Sequence, residues 1–98
     1  LLTLLASETW DSGSLAIREA SMAKLFSTDT AVKTVSECLE MFGGYGFSKE
    51  YEIERLHRDV RVLEIIEGAT FVQLTLIARE VFPELKKGPR TVERSAAA

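Results

Sequence analysis

The chain has 98 residues, 46% of them apolar and 28% charged, which is room for one domain with one core and an ordinary globular composition. A formal net charge of −3 argues against nucleic acid as a partner, because phosphate binding needs a concentrated basic surface. No apolar run reaches the roughly 18 residues of a membrane-spanning helix, and the single cysteine, Cys38, excludes an internal disulfide.

The opening Leu1-Leu2-Thr3-Leu4-Leu5 is apolar and carries neither a basic flank nor a cleavage site of a secretory signal. It does not begin with methionine and reads as the cut end of a helix running to about Thr9, hence as a piece of a longer protein. Asp11-Ser12-Gly13-Ser14 is a turn cluster of small polar residues, with Ser14 as the expected N-cap of the next helix. That helix is expected from about Leu15 to Phe42, rich in Ala, Met, Leu, Glu and Lys, with Ala31, Val35, Leu39 and Phe42 on one face. Gly43-Gly44 should stop it, and Gly43–Phe47 should form a loop. A further helix is expected from about Glu52 into the early sixties, and a last one from about Thr70 to Phe82, ended by Pro83.

Leu63, Ile66, Thr70, Leu74, Ile77 and Val81 line up at helical spacing, with Val62, Ile65, Ala69, Val72 and Leu76 as a second stripe, which predicts a central, buried helix. Val60–Ile66 also reads as a strand, and periodicity does not decide between the two. Residues 86–98 read as a flexible tail after a domain of residues 1–85. The fold class expected is all-α, an up-down helical bundle.

Glu67 is the position where the pattern suggests chemistry. Isoleucine precedes it and glycine and alanine follow, so the carboxylate is expected in a poorly hydrated place, where desolvation raises a carboxyl pKa towards that of a general base. The competing reading is a solvated carboxylate at a helix break. Gly43-Gly44-Tyr45-Gly46 suits either close backbone approach to a ligand or a tight helix stop, and its spacing is not that of a dinucleotide fingerprint. His57 has no second histidine or nearby cysteine, so metal ligation is not expected. Arg58-Asp59 reads as an ion pair or cap, and Cys38, Trp10, Phe26, Phe42 and Phe71 read as core.

Together these segments resemble the acyl-CoA dehydrogenase family. The residues that carry the resemblance are Ala23-Lys24-Leu25-Phe26, then Glu40-Met41-Phe42-Gly43-Gly44-Tyr45-Gly46-Phe47 against the family's Gln-x-x-Gly-Gly-x-Gly-Tyr loop. Lys49-Glu50-Tyr51, Glu54-Arg55, Arg58-Asp59, Ile66-Glu67-Gly68, Val72-Gln73 and Ile77-Ala78-Arg79 continue it in order. The match covers about residues 15 to 82 and implies the C-terminal helical domain of a three-domain FAD enzyme, with Leu1–Thr9 the end of a preceding long helix.

The resemblance implies that Glu67 is the catalytic base. It would take the α-proton of an acyl-CoA thioester while a hydride leaves the β-carbon for flavin N5, and its backbone N–H would polarise the thioester carbonyl. It implies Ile66 and Gly68 beside the substrate, and Glu40, Gly43, Gly44, Ala69 and Phe71 towards FAD. It also implies a homotetramer or homodimer, an electron-transfer flavoprotein as acceptor, and the cytoplasm or the mitochondrial matrix as compartment, for which a single free cysteine is suited. Four positions depart from the family pattern: Glu40 replaces the loop glutamine, Ile66 a tyrosine, Ala69 a threonine and Phe71 a glutamine. Two other functions stand beside the dehydrogenase: a non-catalytic flavin-binding or oligomerisation domain on the same fold, and an acyl-CoA oxidase-like relative. An unrelated helical interaction module is a third.

Overall fold

The structure, a computed structural model, describes residues 1–86. Its elements in order are α1 (Leu2–Asp11), α2 (Ile17–Met41), a 3-10 helix (Gly43–Phe47), α3 (Glu52–Leu63), α4 (Thr70–Val81) and a 3-10 turn (Pro83–Lys86). Among the described residues there is no strand, and Val60–Leu63 is the last turn of α3, so the fold is all-α as expected. The expected tail lies outside the described residues except for Lys86, which belongs to the final 3-10 turn.

The long helix α2 organises the rest. α1, α3 and α4 all pack on it and not on one another. α3 runs antiparallel to it: His57 Nδ1 lies 3.4 Å from Ser36 Oγ, and beyond the end of α3 the chain reaches Lys24, nearer the start of α2. α1 also runs antiparallel, its first residues facing Ala31–Val35 and Thr9 facing the start of α2.

The ends of α2 follow local chemistry, with one correction. Ala16, at φ 49°, occupies the cap position before Ile17, so the N-cap is not Ser14. The Ser14 hydroxyl instead accepts a long hydrogen bond from the Ala16 N–H at 3.5 Å, because the helix starts two residues later than its composition suggests. At the other end Gly43 takes φ +56°, the left-handed conformation that glycine adopts without a Cβ penalty. The segment after it is a 3-10 helix rather than a loop. Gly46 is buried against the last turn of α2, where a Cβ would stand 2.5 Å from Leu39 O and 3.0 Å from Phe42 Cβ. Phe42 and Tyr45 both meet Tyr51 edge to face, at centroid distances of 5.7 and 5.9 Å, and tie this turn to the entry of α3.

α3 is held from its solvent side by ion pairs at helical spacing. Arg55 binds Glu52 and Asp59, Arg58 binds Glu54 at 3.0 Å, and Arg61 binds Glu64. The expected Arg58–Asp59 pair is not formed: Arg58 turns to Glu54 and Asp59 to Arg55, each four residues away on the same helix.

The expected core is the larger correction. Trp10, Phe26 and Phe71 are 62%, 63% and 79% exposed, and Phe42 is also exposed. Nor is α4 a buried central helix: Gln73 is its one buried residue, while Leu74 and Val81 stand half in solvent. α4 packs on α2 and stays partly uncovered: Leu76 and Ile77 are half-buried, whereas Phe71, Val72, Leu74 and Val81 are exposed. Cys38 is half-buried, on the packed side of α2.

Candidate active site

The segment between α3 and α4 is a tight reversal. α3 closes with the N–H groups of Ile65 and Ile66 both bonded to Val62 O, at 2.9 and 3.0 Å. Glu67 then takes φ +52° and Gly68 φ +91°, two successive left-handed residues of which only the second has no Cβ. The turn is completed by the Thr70 N–H bonding back to Glu64 O at 3.1 Å, and Ala69 caps α4 in an extended conformation. Glu67–Gly68 is thus a break between two helices, as Gly68 and the two apolar stripes predict.

Three successive carbonyls of this turn are held from the inside. Lys24 Nζ, reaching from α2, donates to Ile66 O at 2.9 Å and to Gly68 O at 2.6 Å. Gln73 Nε2, buried on the first turn of α4, donates to Glu67 O at 3.3 Å and to Gly68 O at 3.1 Å. In a trans peptide the N–H points opposite to the C=O of the same unit, and no peptide here is cis. Holding the carbonyls of 66, 67 and 68 inward therefore aims the N–H groups of Glu67, Gly68 and Ala69 outward. None of these three amides has an acceptor among the described residues. A run of unpaired, outward amides is suited to an oxygen that gains negative charge.

The Glu67 side chain is exposed beside them and makes no ion pair among the described residues. The expectation of a poorly hydrated carboxylate is not met among the described residues. Ile66 is half-exposed, Gly68 and Ala69 less so, and Phe71 projects its ring into solvent one turn on. Gly68 leaves no space behind it, since a Cβ there would run into Gln73 Nε2.

The residues expected towards FAD fall into two places. Ala69 and Phe71 adjoin Glu67, whereas Glu40, Gly43 and Gly44 sit at the far end of α2. At about 1.5 Å per residue, the helix from Lys24 to its last residue, Met41, spans roughly 26 Å. No single enclosed site in this chain holds all five. The Glu67 end offers free amides and an exposed aromatic ring, and Gly43 and Gly44 have nothing within 4 Å of where a Cβ would stand. Such an arrangement fits separate portions of an extended dinucleotide, or portions of two, and not one compact group. Among the described residues no cluster of His, Cys, Asp and Glu is arranged to hold a metal ion, and no helix is long and apolar enough to cross a membrane.

Lys24 and Gln73 belong to segments that carry the family resemblance, yet no role attaches to them from sequence. Gln73 lies between the apolar residues Val72 and Leu74, a pattern that fits a solvent-facing helix position equally well, so its burial is not legible from sequence. Lys24 offers no signal either, since its partners lie 42 and 44 residues away. His57, on the surface of α3 opposite Ser36, has no metal-binding neighbour among the described residues.

Residues 1–82 match the protein family described as acyl-CoA dehydrogenase, C-terminal domain. The chain is 49% identical over 78 residues to a 3-(aryl)acrylate reductase of Clostridium sporogenes (strain ATCC 15579), covering 80% of this chain and 21% of that protein. It is 40% identical over 82 residues to a cyclohexane-1-carbonyl-CoA dehydrogenase of Syntrophus aciditrophicus (strain SB), covering 84% of this chain and 21% of the other. A solved structure described as an electron transferring flavoprotein of Acidaminococcus fermentans matches 83% of this chain and 21% of its own, with a TM-score of 0.78 at 30% identity. The chain spans about a fifth of the length of the curated relatives it matches.

Proposed function

This chain belongs to the acyl-CoA dehydrogenase family, and on that footing we propose that it is the C-terminal helical part of a longer FAD-dependent oxidoreductase that introduces an α,β double bond into acyl-CoA thioesters. The observation that carries this reading is Glu67 itself. It stands at φ +52° between α3 and α4 with an exposed carboxylate, and its amide has no acceptor among the described residues.

The two halves of Glu67 do different work. Its carboxylate takes the α-proton of the acyl chain. Its N–H donates to the thioester carbonyl oxygen, where charge accumulates as that proton leaves. A helix interior would not serve, because there the same N–H would already be bonded to the preceding turn. Ile66 and Gly68 flank the reacting carbons, and bound FAD supplies the acceptor for the hydride of the β-carbon. Ala69 and Phe71 would hold one portion of FAD, and Glu40, Gly43 and Gly44 a distant portion, in the same protomer or a neighbouring one of a homodimer or homotetramer. An electron-transfer flavoprotein is the acceptor that fits this class of reaction.

A second reading has its own support. The relative named 3-(aryl)acrylate reductase is 49% identical over 80% of this chain. Run backwards, the same residues would serve reduction of an α,β-unsaturated acyl compound: the Glu67 carboxylic acid would deliver its proton to the α-carbon, and reduced FAD, when bound, would supply the hydride for the β-carbon.

The test is Glu67→Gln in the full-length enzyme, with butanoyl-CoA and cyclohexane-1-carbonyl-CoA as probes. The substitution keeps shape and the backbone N–H and removes the base. Flavin reduction should slow by about 10² to 10⁴ with acyl-CoA affinity little changed. Flavin reduction at near wild-type rate would move the base to another residue. The reductive reading is separated by supplying reduced flavin with an arylacrylate and its thioester and asking which direction proceeds.

A further inference from the structure

We infer that Lys24 is a positioning residue for the base, acting through the backbone of residues 66–68 to aim the Glu67 N–H and carboxylate at the reacting atoms. The inference rests on the reading of Glu67 given above and adds a residue to it.

Lys24 projects from α2 and places one ammonium group on two carbonyls that flank Glu67, Ile66 O and Gly68 O. Holding Ile66 O inward sets the plane of the 66–67 peptide, and that plane carries the Glu67 N–H outward. Holding Gly68 O at 2.6 Å fixes the exit of the turn. Glu67 sits between these two pinned peptides in a conformation that a residue with a Cβ rarely adopts, so it needs an outside constraint to stay there. Hydrogen bonds from an ion are shorter and stronger than neutral ones, and a lysine can divide three donors between two acceptors. Gln73 adds two longer, neutral bonds to Glu67 O and Gly68 O from the α4 side. The loop is thereby clamped between α2 and α4, with Lys24 the stronger jaw. The arrangement has no claim on substrate: the ammonium is behind the loop, on carbonyls whose amides face the other way.

The experiment compares Lys24→Met, Lys24→Arg and Gln73→Met with Glu67→Gln in the full-length flavoenzyme, using the two acyl-CoA probes named above. Flavin-reduction rate per bound flavin, acyl-CoA affinity and thermal midpoint are measured for each. A displacement of about 1 Å at a catalytic group costs on the order of 10²-fold. Lys24→Met should therefore lose about 10²-fold in rate per flavin with affinity changed less than about threefold, and Lys24→Arg should recover about tenfold of that loss. Gln73→Met should show the same signature at about tenfold. A purely structural lysine would lower the midpoint and the flavin content while leaving the rate per flavin intact. If Lys24→Met gives no folded protein, Lys24→Arg and Gln73→Met decide: slowed turnover at kept affinity supports the clamp, and rates within about twofold of wild type in both overturn it. A slow Glu67→Gln with wild-type rates per flavin in the Lys24 and Gln73 variants sinks the positioning role alone. A wild-type rate in Glu67→Gln sinks the base assignment, and the positioning role with it.

Discussion

Lys24 Nζ lies 2.6 Å from Gly68 O, a charge-assisted bond between residues 44 positions apart that joins α2 to the turn between α3 and α4. It couples the stability of the fold to the geometry of the turn that presents Glu67. Substitutions near it should therefore separate into those that affect both and those that affect stability alone.

Gly68→Ala should affect both. At φ +91° an alanine is strained, and its Cβ would also meet Gln73 Nε2, which cannot move without releasing Glu67 O and Gly68 O. A residue forced into such a region costs about 1–3 kcal/mol. The thermal midpoint of the full-length protein should fall, and flavin reduction by acyl-CoA should slow by at least about tenfold. An unchanged midpoint would mean that the turn relaxes out of its left-handed conformation.

Gly46→Ala should affect stability alone. Its Cβ would be 2.5 Å from a backbone carbonyl, Leu39 O, which is part of α2 and has no side-chain freedom with which to yield. Overpacking of this kind costs about 1–3 kcal/mol. The midpoint should drop, whereas the rate per bound flavin in the folded fraction should stay near wild type. A large loss of rate in folded Gly46→Ala would show that the 3-10 turn communicates with the Glu67 end.

Acid should weaken the Glu54–Arg58 pair of α3 only below the ordinary carboxylate range. The hydrogen bond from Arg58 holds the Glu54 carboxyl below its ordinary value of 4.5. A depressed folded value means that the pair contributes above the unfolded value and is lost as pH falls through the folded one. Titration of the Glu54 carboxyl carbon by NMR should give a midpoint below 4.5, and Arg58→Met should raise it towards 4.5. A native midpoint already at 4.5 would mean that the pair is not held in solution.

The 98-residue chain on its own should not retain stoichiometric FAD. Glu40, Gly43 and Gly44 are separated from Ala69 and Phe71 by most of the length of α2, and the surfaces between them are open. It should also self-associate, because Trp10, Phe26 and Phe71 present large apolar groups to water. Flavin absorbance of the purified chain and its sedimentation behaviour check the two statements. Bound flavin at one per chain would mean that one face of this chain suffices.

Much of the architecture was legible from short-range chemistry. Ala, Leu, Met, Glu and Lys between Leu15 and Phe42 favour a helix wherever they are placed. Gly43 ends it because it tolerates φ +56°, and Pro83 ends α4 because it has no N–H. Gly68 marked the break beside Glu67 for the same local reason. Where the reading failed, a competing neighbour or a missing neighbour decided. Arg58 turned to Glu54 instead of Asp59 because a helix brings residues four apart together. Ser14 lost the cap to Ala16, a buried residue at φ 49° with no capping side chain, which no local preference of alanine announces. Phe71 and Trp10 are large apolar residues of the kind that fill cores, and they lie exposed because nothing among the described residues covers them.

By itself, then, the sequence determined the order and approximate spans of the four α-helices, the stop at Gly43 and the placement of Glu67 at a break, all of which depend on φ/ψ preferences and spacing within a few residues. Only the tertiary structure decided which way the amide of Glu67 points. That direction depends on Lys24 and Gln73 gripping the carbonyls of residues 66–68 from two different helices, and a grip from 42 and 44 residues away exists only once α2 lies alongside the turn.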